Sequence, residues 1–289
     1  IGYNSGDTLV NNSKNVAVGA YTLGANGADY NVAIGYGAGE ACNDDNNVYV
    51  GYQAGDVNTG TRNIVIGAQA LGSGVDVDNV VAIGYHALSA ANDDANHGTI
   101  AIGYNAGRKI AVTGSAYDGG NTLIGYQVGY DSGAETGLTT GTHNTALGFE
   151  AFGADADGAL TGSYNTVMGY RAGYAQTGAS HGNTLLGYRA GNAITTGDYN
   201  VVIGYDSDAH ATTTNQIAIG YNTSTTGQYG IAIGDNVSAA TNDAVMGKNG
   251  ATITCDFDTD CTWSQASDVR KKRNIKDDTL GLAFINDLK

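Results

Sequence analysis

One short string governs this chain. N-V-A-I-G-Y, more or less degraded, recurs from one end almost to the other, and each copy aligns on its glycine. The anchors are Gly2, Gly19, Gly35, Gly51, Gly67, Gly84, Gly103, Gly125, Gly148, Gly169, Gly187, Gly204, Gly220, Gly234 and Gly247. Their spacing starts at 16 or 17 residues, widens to 23 in the middle and narrows to 13 at the end. A repeat this short leaves no room for a helix pair in each copy. With β-branched residues beside every glycine, the pattern predicts an all-β chain. Its expected form is a parallel β-solenoid (β-roll) of about 15 short turns over residues 1–249.

The columns of the repeat have separate physical meanings. The residue before the anchor is aliphatic in every copy, as in Ile34, Ile124 and Met246, and is expected to point into the coil. Two residues earlier come Val32, Val48 and Ile64, or Thr122, Thr145, Thr166 and Thr184 in the middle turns. Alternation sends the residue between them to the other face. That face carries Ala33, Val65, Leu123, Val167 and Leu185, so both faces are apolar. A lone coil would expose one of them as a long stripe, more than a soluble monomer tolerates. Burial against copies of the same chain around a common axis resolves this, with Ala33, Val65, Leu123, Val167 and Leu185 expected at the central seam.

The corner residues read as structural. Asn opens nine copies, among them Asn31, Asn121 and Asn183, and stacked Asn side chains form hydrogen-bonded columns. Gly35, Gly125 and Gly187 supply corners that a side chain would obstruct. Tyr36, Tyr126 and Tyr188 follow them, and a stacked Tyr column covers the corner while its hydroxyls stay wet. Such aromatics also suit a carbohydrate platform, but these repeat with the coil and do not form one patch. The following x-A-G, as in Gln53-Ala54-Gly55, is expected to place a small Ala in a second strand leg. Length changes fall beyond it, most at 127–143 and 150–164, which read as protruding loops.

Composition excludes other classes. There are 45 glycines and no proline, which rules out collagen, and 19 tyrosines with 42% apolar residues, which rules out a disordered tail. A net charge of -15 argues against a nucleic-acid partner. The chain opens at Ile1-Gly2-Tyr3, inside a copy of the repeat, and reads as part of a longer protein.

Two resemblances follow. I-A-I-G-Y-N at 217–222 and I-A-I-G-D-N at 231–236 resemble repeats of the trimeric autotransporter adhesin head, and the longer N-T-x-L-G-Y-x-A-G turns resemble phage fibre repeats. This implies a homotrimer of parallel rolls. After a β connector at 250–266, composition turns basic. There A-S-D-V-R-K-K-R-N-I-K-D resembles the opening of the endosialidase-type intramolecular chaperone domain, with Ser267, Asp268, Lys272, Asn274 and Ile275 in register. Residues 267–289 would be the incomplete start of that domain, entering a helix from Thr279. In that family the domain assembles three chains and then cleaves itself off before the serine. The resemblance implies Ser267 as nucleophile and Lys272 as its base; the neighbouring Arg270, Lys271 and Arg273 would depress the lysine's pKa. Without the resemblance the residues read as a solvated basic segment entering a helix capped by Ser267 or Asp268.

The function implied is a phage tail fibre of the extracellular virion. It would be structural and receptor-binding, and no enzyme beyond a single self-cleavage. Its partners would be itself, other tail proteins and a host surface receptor, with carbohydrate one candidate. The other reading is a bacterial trimeric adhesin. No cofactor is expected. Metal binding is not expected from His86, His97, His143, His181 and His210, which share no spacing. Asp44-Asp45, Asp93-Asp94, Asp155/Asp157 and Asp256/Asp258/Asp260 read as solvated loop charge rather than a calcium cage. Cys42, Cys255 and Cys261 read as small, partly buried residues, with a Cys255–Cys261 disulfide the other possibility.

Overall fold

The computed structural model describes residues 1–259, except 8, 10–12, 25–27, 75, 92–95, 111–118, 131–139, 154–159 and 177, and also residues 264–265. Twelve strands come first: β1 (Val16–Val18), β2 (Val32–Ile34), β3 (Val48–Val50), β4 (Ile64–Ile66), β5 (Val81–Ile83), β6 (Ile100–Ile102), β7 (Thr122–Ile124), β8 (Thr145–Leu147), β9 (Thr166–Met168), β10 (Thr184–Leu186), β11 (Val201–Ile203) and β12 (Ile217–Tyr221). Then come β13 (Ser224–Thr225), β14 (Ile231–Asp235), β15 (Ser238–Ala239), β16 (Asp243–Lys248), β17 (Ala251–Asp256) and β18 (Ser264–Gln265).

Strands β1 to β12, β14 and β16 lie side by side in that order, all parallel and paired column on column, as in Val16↔Val32 and Leu185↔Val202. This is a parallel β-solenoid without an α-helix among the described residues. Fourteen parallel strands enclose thirteen turns, which at about 4.8 Å per strand gives a rod of about 60 Å. The count falls short of 15 because the first copy forms no strand; Ile1 serves only as an edge, its carbonyl accepting from Gly19 N–H at 2.8 Å. After Gly247 the pattern ends, and β17 folds back antiparallel on β16.

The two strand faces are reversed from the expectation. The middle residue of each strand fills the bore: Ala33, Tyr49, Val65, Leu123, Leu185 and Val202 are fully buried within one chain. The residues on either side face out, with Val16 47%, Ile34 41%, Ile64 43% and Met168 43% exposed. Ala33, Val65, Leu123, Val167 and Leu185 therefore cannot form a seam between chains, because their own coil encloses them. Alternation puts the flanks on one face and the middle on the other, but it does not say which face is inside. The bore decides. It is so narrow that most turns admit only Ala, Val or Leu.

Tyr49 is the exception, and it fits because Gly39 and Gly55 beside it lack side chains. A Cβ there would meet the Tyr49 ring at 2.7 and 2.2 Å. Its hydroxyl accepts from Asn58 Nδ2 at 2.9 Å.

The x-A-G alanines also point inward; Ala38, Ala54, Ala106, Ala172 and Ala190 are fully buried. They lie in turns rather than in the expected second strand leg. Among the described residues that leg is a strand pair where β13 meets β15, in the shortest turns.

Candidate functional site

The outward face is the most extensive chemical feature of the molecule. Strand residues one and three form two apolar columns along the rod, interrupted by Thr122, Thr145, Thr166 and Thr184. Beside them runs the residue after each anchor glycine. From Tyr85 through Tyr104, Tyr126, Phe149, Tyr170, Tyr188 and Tyr205 to Tyr221, eight rings stack continuously, with centroids 4.7–5.5 Å apart and planes within 14°. Tyr36 stacks on Tyr52 in a separate pair at 5.6 Å, because Ala68 takes the next position. Four residue steps across by the rod's length give an outward surface of about 800 Å². The largest apolar patch on a typical monomer is about 300–600 Å².

Three features hold the turns behind this face in register. The first is the anchor column. Gly35, Gly125 and Gly187 have φ of 137°, 137° and 135°, and a Cβ on each would meet the carbonyl oxygen of the next anchor at 2.3, 2.2 and 2.2 Å. Only glycine permits both the conformation and the approach. The second is the Asn column, which is buried. Its bonds run mainly to the backbone rather than from side chain to side chain. Asn31 Oδ1 accepts from Asn47 N–H at 2.7 Å, Asn121 Oδ1 from Asn144 N–H at 2.9 Å, and Asn183 Oδ1 from Asn200 N–H at 2.9 Å. Each side-chain amide donates to the carbonyl three residues before the next ladder position: Asn31 to Asp44 at 3.0 Å, Asn121 to Gly141 at 3.0 Å, Asn183 to Gly197 at 2.9 Å. The third is an acidic column two residues before the Asn position. Asp29, Asp45 and Asp198 accept from the backbone N–H of Ser13, Asp29 and His181 at 2.6, 2.6 and 2.7 Å. Part of the acidic surplus therefore caps backbone donors instead of merely decorating loops.

The remaining candidates are dispersed. The five histidines are spread over four turns, with His86 and His97 both between β5 and β6; His143 stacks on Tyr164 at 5.2 Å, and His181 Nδ1 accepts from Ser163 N–H at 3.0 Å. Among the described residues no group of three His, Cys, Asp or Glu is placed to hold a metal ion. Asp256 Oδ1 accepts from Asp258 N–H at 2.9 Å. Cys42 is a buried free thiol, raised above its usual pKa mainly by burial. Cys255 is disulfide-bonded, which corrects the reading of it as a free small residue. Asp208 is pushed up to about 6 by burial, although Ala193 N–H and Ala209 N–H bond its carboxylate at 2.8 and 2.9 Å. Ser267, Lys272 and the helix expected from Thr279 lie outside the described residues, as do Asp93, Asp94, Asp155, Asp157, Asp260 and Cys261.

Sequence reasoning missed one site. A cavity of about 260 Å³ opens on the turns that follow β3 to β6, lined by Asp56, Gln69, Ser73, His86, Arg108 and Lys109 among others. The signal was present five residues after each anchor, where Gly72 and Ser89 stand between Asp56 and Arg108. Comparison of the chain with protein-family models, with curated proteins and with solved structures gave no match.

Proposed function

We propose that this chain is the shaft and receptor-binding part of a phage tail fibre, assembled as a homotrimer and presented on the extracellular virion. The observation that carries the reading is the largely apolar outward face, which runs about 60 Å along the rod with threonine in one column of four turns. At about 800 Å² per chain, divided between two neighbours, it gives about 400 Å² a side in each of three contacts and about 2,400 Å² buried in the whole trimer. Three parallel copies turning this face to a common axis would bury it and leave the variable turns outside, where attachment to a host surface and to other tail proteins takes place.

The segment beginning at Ser267 supplies the rest of the proposal. Neighbouring turns look alike, so a one-turn slip between chains costs little locally, and a separate trimerising element would set the register. In this proposal Lys272 takes the Ser267 hydroxyl proton, Ser267 Oγ attacks the Ala266 carbonyl carbon, and the C–N bond breaks with the proton passing to the freed Ser267 amine; water then hydrolyses the resulting ester to an Ala266 carboxylate and the Ser267 hydroxyl, and the assembly domain leaves once the rod is locked. The Cys255 disulfide agrees with an extracellular setting. The net charge of -15 opposes nucleic-acid binding.

Immunogold electron microscopy tests the assignment. Antibody raised against residues 31–236 should decorate the tails of virus particles in material from the source of the sequence. Label confined to bacterial cell surfaces would overturn the fibre reading in favour of an adhesin.

A further inference from the structure

At the cavity after β3 to β6 the periodic surface of the described residues is broken. Down the column five residues after the anchor run Glu40, Asp56, Gly72, Ser89, Arg108 and Tyr130. Two small residues in succession cut a notch, with a carboxylate at one end and a guanidinium at the other. Three strand spacings, about 14 Å between backbones, separate the two ends. Gln69 and Ser73 line the floor between them, and Ala68 leaves the aromatic column open at the same turn.

The groups at the two ends call for opposite ligand chemistry. Asp56 Oδ1 is shielded from solvent and has no hydrogen-bond partner. Burial, then Glu40, raises this carboxyl above its ordinary pKa, while the nearby amides of Asp56 and Val57 oppose the rise. A hydroxyl donor at Oδ1 would satisfy the oxygen that these amides leave unbonded. At the other end Arg108 and Lys109 bring two adjacent cations into a chain with 13 basic and 28 acidic residues. Arg108 spends one donor on Tyr130 Oη at 3.4 Å; a guanidinium has five, in a fork that fits a planar carboxylate. Burial, then Arg108, holds the His86 imidazole on the cavity wall below its usual pKa. The volume of about 260 Å³ lies just below the usual small-molecule range of about 300–1,000 Å³ and suits one ring rather than a chain of them.

We infer that this notch binds a single acidic sugar residue, its carboxylate on Arg108 and Lys109 and its hydroxyls toward Asp56, Ser73 and Ser89. The inference rests on the attachment reading only in supposing that the sugar is displayed on a cell surface; the binding itself needs one chain and no virion. The purified chain is titrated with D-glucuronate, N-acetylneuraminate, D-glucose and inorganic phosphate by ligand-observed NMR. At least one sugar acid should saturate, with glucose and phosphate at least about 10-fold weaker. Arg108→Gln should weaken the acid about 10-fold or more. Ser89→Phe should fill the notch and abolish binding with the far-UV circular dichroism unchanged. Phosphate binding as tightly as the sugar acids would reduce the site to a bare anion site and overturn the inference. So would equal binding of glucose, no binding by either acid, or full binding by a folded Ser89→Phe variant. Tails labelled by antibody with no sugar bound would overturn this inference alone. Sugar bound with no tails labelled would support it and sink the virion reading.

Discussion

Gly125→Ala isolates the constraint that makes the repeat a repeat. The added Cβ would stand 2.2 Å from the Gly148 carbonyl oxygen, at least 0.8 Å inside the 3.0 Å that real Cβ contacts respect. The obstacle is backbone, so no rotamer change relieves it, and the turn at Gly148 must move. That movement stretches the bonds from Gly148 N–H to Ile124 O at 2.9 Å and from Glu150 N–H to Tyr126 O at 2.8 Å, each worth about 1 kcal/mol net. Holding alanine at the φ of 137° adds about 1–3 kcal/mol of strain. The expected loss is therefore about 3–5 kcal/mol. Gly98→Ala is the matched control: its φ is 71°, a Cβ there meets nothing within 4 Å, and the cost is only the left-handed conformation, about 1 kcal/mol. Guanidinium unfolding followed by far-UV circular dichroism, at one fixed protein concentration, gives both values. Near-UV circular dichroism should show the Tyr104–Tyr126–Phe149 stack disturbed in Gly125→Ala alone. Equal losses for the two substitutions would refute the argument from carbonyl approach.

Other outcomes follow from the same structure. Asn183→Ala strips the partners from Asn200 N–H and the Gly197 carbonyl and should cost about 2–4 kcal/mol in the same unfolding assay, far more than an exposed Asn→Ala change. Asp208 has a folded pKa of about 6 against 3.8 when free, so its charge destabilises the fold at neutral pH, and stability should rise as pH falls from 7 toward 4. Linkage sets an upper limit of about 3 kcal/mol, and solvent at this partly exposed side chain reduces it to about 1–2 kcal/mol; Asp208→Asn should flatten that part of the pH profile, whatever it does to absolute stability. Val65→Glu places an unpaired charge in the bore and should prevent folding, whereas Ile66→Glu, on the 38% exposed outward face, should leave the coil folded and abolish its self-association. A folded Val65→Glu variant would contradict the placement of the two faces.

The solenoid was legible because its determinants are local and repeated. The glycine column, the Asn column and the Tyr column each appear in the sequence as one residue type at one offset. The direction of the strand faces was legible too, but in residue size rather than in hydrophobicity. Ala33, Ala82, Ala101, Ala146, Ala218 and Ala232 occupy the middle column while the flanks carry Val, Ile and Thr, and a narrow bore takes the small series. Apolarity alone could not separate the faces, since both are apolar. The role of Asp29, Asp45 and Asp198 was hidden because a carboxylate that caps a backbone amide on the neighbouring turn resembles loop charge when read along the chain. The notch was hidden for a related reason. Asp56 and Arg108 lie 52 positions apart and line one cavity only because the turns between them stack in register.

Sedimentation equilibrium on the purified chain tests the central claim, that the outward face of this rod is buried against two further copies. A trimer requires a single folded species at three times the 29.4 kDa chain mass at micromolar concentration. It also requires that Ile66→Glu shift the population to 29.4 kDa without loss of β-structure. A wild-type chain that is folded, soluble and monomeric at the same concentration would contradict it.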